Sequence, residues 1–391
     1  MQRIANEHLL VETRQELADM LKGALLGCAG GDALGYILER RTPDECRRHI
    51  DGILATHETD LVRVHPNPPE EALDPTPDAD PVDLRLGQVS DDTQLSLLLA
   101  RSCLSGRLDR SLFARGLVNI AESPGIVGSG TATRQAIDAM RGLPDPGCWR
   151  ATAEADERGN GVVMRIAPMA LLLDCDDAAM VGAARDHAAQ THGGVFAGEI
   201  AAVAALAVRV MARLRLDARA AYRNFATWYL VHLEKAVETH VGALPNVDTF
   251  WRNLLLSGGD LTVASSTPCM LPHMLRARWI GMEPEEAAAD IGRMVPHEKW
   301  KHISGHAAPT LAWALYCAIR YSNDFEAAVR TAIAGGGDVD TTAAITGALV
   351  GLANGPDCVP GWLADRLNDR GRPIAAEIDQ IVSIVARPAA A

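Results

Sequence analysis

Aromatic residues are scarce in this chain, at 4% of 391 residues. Strands favour β-branched and aromatic side chains, so a chain poor in aromatics and rich in Ala and Leu is weighted toward helices. Basic charge is also short: 37 Lys and Arg stand against 50 Asp and Glu, a formal net charge of −13. That balance argues against a surface organised around a basic stripe for nucleic acid. An acidic chain can still receive an anionic ligand locally, at helix N-termini or through bound cations. The eight cysteines (28, 46, 103, 148, 175, 269, 317 and 358) form no C-x-x-C pair. Reduced thiols in a cytoplasmic protein are expected, and a structural zinc site is not. Met1–Leu21 carries Glu7, Glu12, Glu16 and Asp19 with no basic stretch ahead of an apolar core, so no signal peptide is expected. The most apolar run, Ile200–Leu214, contains Arg209 and Arg213. It reads as too short and too charged to span a bilayer, and as a buried helix.

Helical periodicity is what the chain has in quantity. It recurs over 12–40, 92–105, 111–122, 130–140, 163–173, 177–190, 197–214, 218–239, 284–294, 307–320, 324–334, 341–353 and 374–386. Gly/Pro/Asp clusters punctuate these segments, and no run of alternating strands intervenes. The expected architecture is all-α, a single compact multi-helix domain over 1–391. In the first segment Gly23, Gly27, Gly31 and Gly35 recur every four residues. On a helix they line one face and admit a second backbone at close range. Thr56–Gly87 breaks the pattern with His65-Pro66-Asn67-Pro68-Pro69 and Asp74-Pro75-Thr76-Pro77-Asp78. Such a composition buries too little apolar area to order itself. A flexible insertion is expected there, either a lid or an inert surface excursion.

The chemistry concentrates in two short acidic clusters. One is Ser90-Asp91-Asp92-Thr93, and the other is Asp338-Val339-Asp340-Thr341, entered through Gly335-Gly336-Gly337. Each alone reads as a helix start, with a capping residue and acids in the first turn. Three glycines exceed what a cap needs and point to unusual backbone angles or close approach. Carboxylates gathered in one place repel unless hard cations, which prefer oxygen ligands, hold them. The pair therefore points to a two-metal site. A P-loop is excluded because no Lys follows the glycines, and an EF-hand because its Gly and terminal Glu are missing. His297-Glu298-Lys299-Trp300-Lys301-His302 has the wrong spacing for two zinc ligands on one helix face. Asp32 and Glu39, taken singly, read as structural or solvated. Asn160-Gly161 reads as a tight turn with positive φ, and Thr191-His192 as a cap or a satisfied histidine.

Taken in order, these residues resemble the ADP-ribosylglycohydrolases. The landmarks are Gly27-x-x-x-Gly31-Asp32-Ala33-x-Gly35-x-x-x-Glu39, Ser90-Asp91-Asp92-Thr93, Gly128-Ser129-Gly130-Thr131, Gly159-Asn160-Gly161-x-x-Met164-Arg165-x-x-Pro168, Thr191-His192 and Gly336-Gly337-Asp338-x-Asp340-Thr341. The resemblance implies an all-helical fold with two Mg²⁺ (or Mn²⁺) ions in a central cleft. Ser90, Asp91 and Asp92 would be ligands from one side, and Asp338, Asp340 and Thr341 from the other. It places Gly128, Ser129, Gly130, Gly159, Asn160, Gly161 and His192 against ADP-ribose. It further implies a hydrolase that frees ADP-ribose from a modified protein or small molecule by cleaving the glycosidic bond at the distal ribose. Asp338, Asp340 and Glu39 are the candidate general bases, with no choice made among them. Two positions depart from the common pattern: Ser90 and Val339 stand where many members have Thr. The acceptor linkage stays open. So do two other readings of the same fold, a non-catalytic ADP-ribose-binding or toxin-blocking immunity protein and a metal-dependent hydrolase of another nucleotide-like substrate.

Overall fold

Thr13 starts the first helix with a capping box: its side chain accepts from the Glu16 backbone N–H at 3.1 Å, and Glu16 accepts from the Thr13 N–H at 2.9 Å. The structure, a computed structural model, describes residues 13–65, 82–123, 125–152, 157–216, 225–242, 261, 267–295 and 302–387. Within them lie sixteen α-helices. They are α1 (Arg14–Tyr36), α2 (Pro43–Thr56), α3 (Asp91–Ser102), α4 (Arg110–Glu122), α5 (Thr131–Arg141), α6 (Ala167–Leu172), α7 (Asp177–Ala188) and α8 (Val195–Leu216). There follow α9 (Phe225–His240), α10 (Leu271–Met274), α11 (Pro284–Gly292), α12 (Ala307–Arg320), α13 (Phe325–Ala334), α14 (Val339–Asn354), α15 (Gly361–Ala364) and α16 (Ala375–Ala386). The only strands among the described residues form two short antiparallel ribbons, β1 (Arg63–His65) with β2 (Val82–Leu84) and β3 (Asn368–Asp369) with β4 (Arg372–Pro373). The all-α expectation holds, and the helices enclose one continuous apolar core.

The central element is the antiparallel pair α1 and α14. Five glycines in α1 cost helix propensity, about 1 kcal/mol each relative to Ala. The packing explains their presence. A Cβ built on Gly23 would lie 2.2 Å from the Gly351 carbonyl oxygen, one on Gly27 2.0 Å from that of Gly347, and one on Gly31 2.0 Å from that of Ala343. The contact is reciprocal: a Cβ on Gly347 or Gly351 would strike the oxygen of Gly27 or Gly23 at 2.1 and 2.0 Å. The four-residue glycine spacing therefore reports two helices in main-chain contact. α16 and α3 flank this pair on α1, while α12 and α13 flank it on α14.

α8 is longer than the sequence reading allowed. By length and composition its Val195–Arg215 stretch, with hydropathy 1.9, is apolar enough to cross a membrane, but 89% of the apolar window is buried inside the fold. Its charges are accommodated internally. Fully buried Arg209 pairs with Asp177 at 2.9 Å and donates to the carbonyls of Ala170 and Leu173 at 3.2 and 3.0 Å.

Three local readings need correction. α2 was not anticipated, although Thr42-Pro43-Asp44-Glu45 is a capping box with Pro in the first turn. The 56–87 insertion is partly regular: β1 and β2 pair across it, with Arg63 opposite Leu84, and residues 66–81 lie outside the described ones. The 163–173 helix begins instead as a 3₁₀ turn at Asn160–Val162 and becomes α-helical only at Ala167. Neither Asn160 nor Gly161 has positive φ. The Asn160 N–H is spent on the Gly305 carbonyl at 3.0 Å, which holds the segment against another loop in place of a hairpin turn. Of the mis-spaced histidine motif only His302 is described, and residues 218–224 of the expected 218–239 helix also lie outside.

Candidate metal centre

Because α1 and α14 run antiparallel, the C-terminal end of α1 meets the N-terminal end of α14. A Cβ on Gly35 would sit 2.5 Å from the Asp340 Cα. This brings Glu39, just beyond α1, to the start of α14, and carboxylate oxygens of Glu39, Asp338 and Asp340 lie within 4.8 Å of one another. Asp32, next to Gly31 in α1, points away from α14 and toward α3. Its carboxylate accepts from the Ser90 N–H at 2.9 Å, the Thr93 N–H at 3.2 Å and the Thr93 hydroxyl at 2.6 Å. Asp32 therefore fixes the first turn of α3, and that turn presents the first acidic cluster.

The two clusters meet at Asp92. Its Oδ2 accepts from the Ser90 hydroxyl at 3.1 Å and from the Thr341 hydroxyl at 3.3 Å, a contact spanning 249 positions of sequence. Asp338 is held by Asn160, whose amide donates to its Oδ2 at 2.5 Å and to the Thr310 hydroxyl at 3.1 Å. The glycine run that precedes Asp338 is required sterically. A Cβ on Gly335 would strike the Trp313 indole nitrogen at 2.6 Å, and Gly337, at φ +87°, would strike the Ile303 carbonyl oxygen at 2.1 Å. That approach lets the Asp338 N–H donate to Ile303 at 2.9 Å in a one-residue parallel bridge. A second bridge joins Gly159 to His306. The loops carrying Asn160 and Asp338 are thus both stitched to segment 302–307.

Ser90, Asp91, Asp92, Asp338, Asp340 and Thr341 are all buried. Burial, above all, pushes the carboxyls of Asp91, Asp92 and Asp338 well above the usual carboxylate range, and the charges of their neighbours push the same way. Glu39 is raised by burial and by Asp340, against the opposing pull of Arg63. Asp32 is pushed up to about 7, again chiefly by burial, with its hydrogen bonds from Thr93 and Ser90 resisting. Arg63 on β1 is the cation nearest Glu39: Nη2 pairs with Oε2, Nη1 donates to the Tyr36 carbonyl at 2.7 Å, and the guanidinium stacks 4.2 Å over the Tyr36 ring.

The donors suit a hard divalent cation: carboxylate and hydroxyl oxygens, no thiol and no imidazole. One atom points the same way. Asp92 Oδ1 is buried and has no hydrogen-bond partner among the described residues, which is costly for a carboxylate oxygen unless a cation takes it.

The residues that the resemblance placed against ADP-ribose fall around this cluster. Gly128, at φ +85°, lies beside Asp91 and Tyr36; a Cβ there would be 3.4 Å from Asp91 Oδ1 and 3.6 Å from the ring. The Asp91 N–H donates to the Val127 carbonyl at 2.7 Å, which holds this loop at the site. Ser129 and Gly130 lead into α5, where Gly130 is the N-cap and offers no side-chain cap. The α5 N-terminus therefore keeps N–H groups for an incoming acceptor. Gly159 and Gly161 flank Asn160, and His192 lies beneath them, 3% exposed, with its Nε2 3.3 Å from where either Cβ would be. Arg63, Tyr36 and Thr310 were not singled out for the site by the sequence reading, and Arg165 entered it only within the Gly159–Pro168 landmark, without a role. Arg63 in particular stands in a stretch with no periodicity to read. Surface depressions also lie elsewhere, one of ≈ 660 Å³ lined by Arg107, Arg110, Asp145 and Arg150 and one of ≈ 480 Å³ lined by Arg47, His302 and Trp313. Neither is lined by the acidic clusters.

The chain is similar to known proteins over most of its length. A profile described as ADP-ribosylglycohydrolase matches residues 13–390. The chain is 26% identical over 367 residues to the ADP-ribosylarginine hydrolase Tri1 of Serratia proteamaculans (strain 568), covering 91% of this chain and 77% of that protein. It is 29% identical over 166 residues to the ADP-ribosylarginine hydrolase Tri1 of Pseudomonas putida (strain GB-1), a match that spans 41% of this chain and only 38% of that protein's length. A solved structure titled ADP-ribosylglycohydrolase-related protein complex superposes with TM-score 0.58 at 24% identity, covering 95% of this chain and 98% of the other. That likeness shows the fold.

Proposed function

The chain belongs to the ADP-ribosylglycohydrolase family, and we propose that it hydrolyses the glycosidic bond between the distal ribose of ADP-ribose and a modified acceptor, using divalent cations held by its two acidic clusters. The observation that carries this reading is the meeting of Ser90, Asp92 and Thr341 around one carboxylate oxygen, with Asp338, Asp340 and Glu39 beside it. The relatives' names put ADP-ribosylarginine first among acceptors.

Ser90, Asp91 and Asp92 would hold the cations, two Mg²⁺ by preference, from one side, and Asp338, Asp340 and Thr341 from the other. When bound, such ions supply positive charge that polarises the ribose hydroxyls and acidifies a water. The chain's own residues do the rest. The buried carboxylates favour the oxocarbenium-like charge that develops at the anomeric carbon. Asp338, Asp340 and Glu39 are the candidates to take a proton from the attacking water, and Asn160, bonded to Asp338 Oδ2, fixes which oxygen of Asp338 is presented. The diphosphate is received by the exposed Gly128–Gly130 loop and the α5 N-terminus.

The test is release of free ADP-ribose from arginine-ADP-ribosylated protein, with Mg²⁺ or with EDTA. Release with Mg²⁺ only, abolished in Asp340→Ala with the helical circular dichroism intact, is the expected result. Equal release in EDTA would refute the cation-dependent reading. Binding without release would move the protein to the non-catalytic class, and release of phosphate in place of ADP-ribose would move it to a different hydrolase class.

A further inference from the structure

Arg165 is a charged residue with no part in holding the cations or the substrate. It is fully buried, with its guanidinium 5.3 Å over the Phe113 ring. Its Nε donates to His187 Nε2 at 2.9 Å, and its Nη2 donates to the Thr191 hydroxyl at 2.6 Å. Nη1 is buried with no partner among the described residues. A buried guanidinium left partly unsatisfied is expensive.

The contacts of Arg165 lead to the site. Arginine only donates, so the His187 Nε2 it meets carries the lone pair; the proton is on Nδ1, which faces Gln190 Oε1 at 3.4 Å. The Thr191 hydroxyl, having accepted from Arg165, has its own proton to give, and His192 Nδ1 lies 2.8 Å away. With that proton given to Nδ1, His192 is the neutral Nε2–H tautomer. Its ring edge presses on the backbone of Gly159 and Gly161: a Cβ on Gly161 would lie 2.9 Å from Cε1, and one on Gly159 3.3 Å from Nε2. Between those glycines sits Asn160, whose amide holds Asp338.

We propose that Arg165 is a positioning residue for Asp338: through Thr191 it fixes the tautomer and tilt of His192, and the imidazole edge sets the seat of the Gly159–Asn160–Gly161 turn that aims the Asn160 amide. Electrostatics runs in the same direction. Burial, with the Arg165 charge behind it, holds the His192 imidazole down to about 3, so the ring is neutral at any physiological pH. The role rests on the reading of Asp338 as part of the hydrolytic centre, whereas the arrangement of His192 does not.

Long-range ¹H–¹⁵N correlation spectra of the imidazoles test the arrangement directly in the wild-type protein. A neutral His192 protonated on Nε2 at pH 7 is expected. An Nδ1–H or a doubly protonated ring would overturn the proposal whether or not ADP-ribose is released. The role is tested with Thr191→Val, which keeps shape and removes the hydroxyl, and with Thr191→Ser, which restores it. Thr191→Val should mix the His192 tautomers and lower kcat at least tenfold with KM within threefold, and Thr191→Ser should recover both. In an Asn160→Ala background Thr191→Val should cost nothing further, since the turn then has no amide to aim. Unchanged kcat with altered tautomers, or a full tenfold loss added to that of Asn160→Ala, would refute the relay.

Discussion

Asp32 gathers the Ser90 N–H and both the N–H and hydroxyl of Thr93 onto one carboxylate, so the residue next to Gly31 in α1 serves as the anchor for the first turn of α3. The arrangement sets a pH dependence. The carboxyl is raised from 3.8 to about 7 in the fold. Its contribution to stability is therefore fully present below pH 3.8 and is lost as pH rises through about 7. His187 and His192, both held low, contribute in the opposite direction, with stability present above about 6.5 and lost on acidification. The Asp32 contribution is isolated by comparing wild type with Asp32→Asn in EDTA. The stability advantage of wild type should shrink steadily from pH 4 to pH 7, as read by chemical denaturation. A pH-independent difference would contradict it.

Arg63 gives Glu39 its counter-charge. Arg63→Met removes that charge from a mostly buried pair, a loss on the order of 3 kcal/mol when no cation is present. Mg²⁺ should restore most of it by taking over the neutralisation. Thermal melts of the variant in EDTA and in Mg²⁺ check this: the loss should be large in EDTA and small in Mg²⁺. Equal losses in the two would mean that Arg63 supports the ribbon and not the carboxylate.

Asp92 Oδ1 is the acceptor without a donor. In Asp92→Asn that atom becomes an amide or a neutral oxygen, and Mg²⁺ affinity should fall at least tenfold by titration calorimetry. The Mg²⁺-induced rise in melting temperature should shrink accordingly. The variant should be at least as stable as wild type in EDTA, because it sheds one charge from a crowded cluster.

Gly27→Ala inserts a methyl 2.0 Å from the Gly347 carbonyl oxygen and must push two helices apart, costing about 3 kcal/mol or more. Gly182→Ala, on the exposed face of α7 with nothing within 4 Å, should instead stabilise by about 0.5–1 kcal/mol. Denaturant midpoints of the two variants should therefore move in opposite directions.

The fold was largely legible because its helices announce themselves by periodicity and the α1 glycines by spacing. The acidic clusters were legible as clusters, and their order along the chain carried the family likeness. Asp32 was undervalued because its importance lies in which backbone N–H groups it reaches, a property of tertiary position. Arg63 was invisible because it lies in a Pro- and Asp-rich stretch where pattern gives no purchase. His192 reads both as a satisfied histidine and, through the resemblance, as a contact to ADP-ribose, and the fold places its ring beneath the turn that carries Asn160. The Asn160-Gly161 pair misled for a similar reason: a dipeptide that makes a tight turn in isolation is held otherwise when its N–H is claimed by another loop.

In most cores the distance between two helices is the sum of side-chain volumes, and it drifts when those side chains change. Between α1 and α14 it is fixed by peptide groups touching peptide groups. The span from Glu39 to Asp340 is thereby inherited from bond lengths and van der Waals radii. Exchanges of apolar residues elsewhere in the core will alter how firmly the protein holds together, and they will leave the bore of its acidic centre at the same gauge.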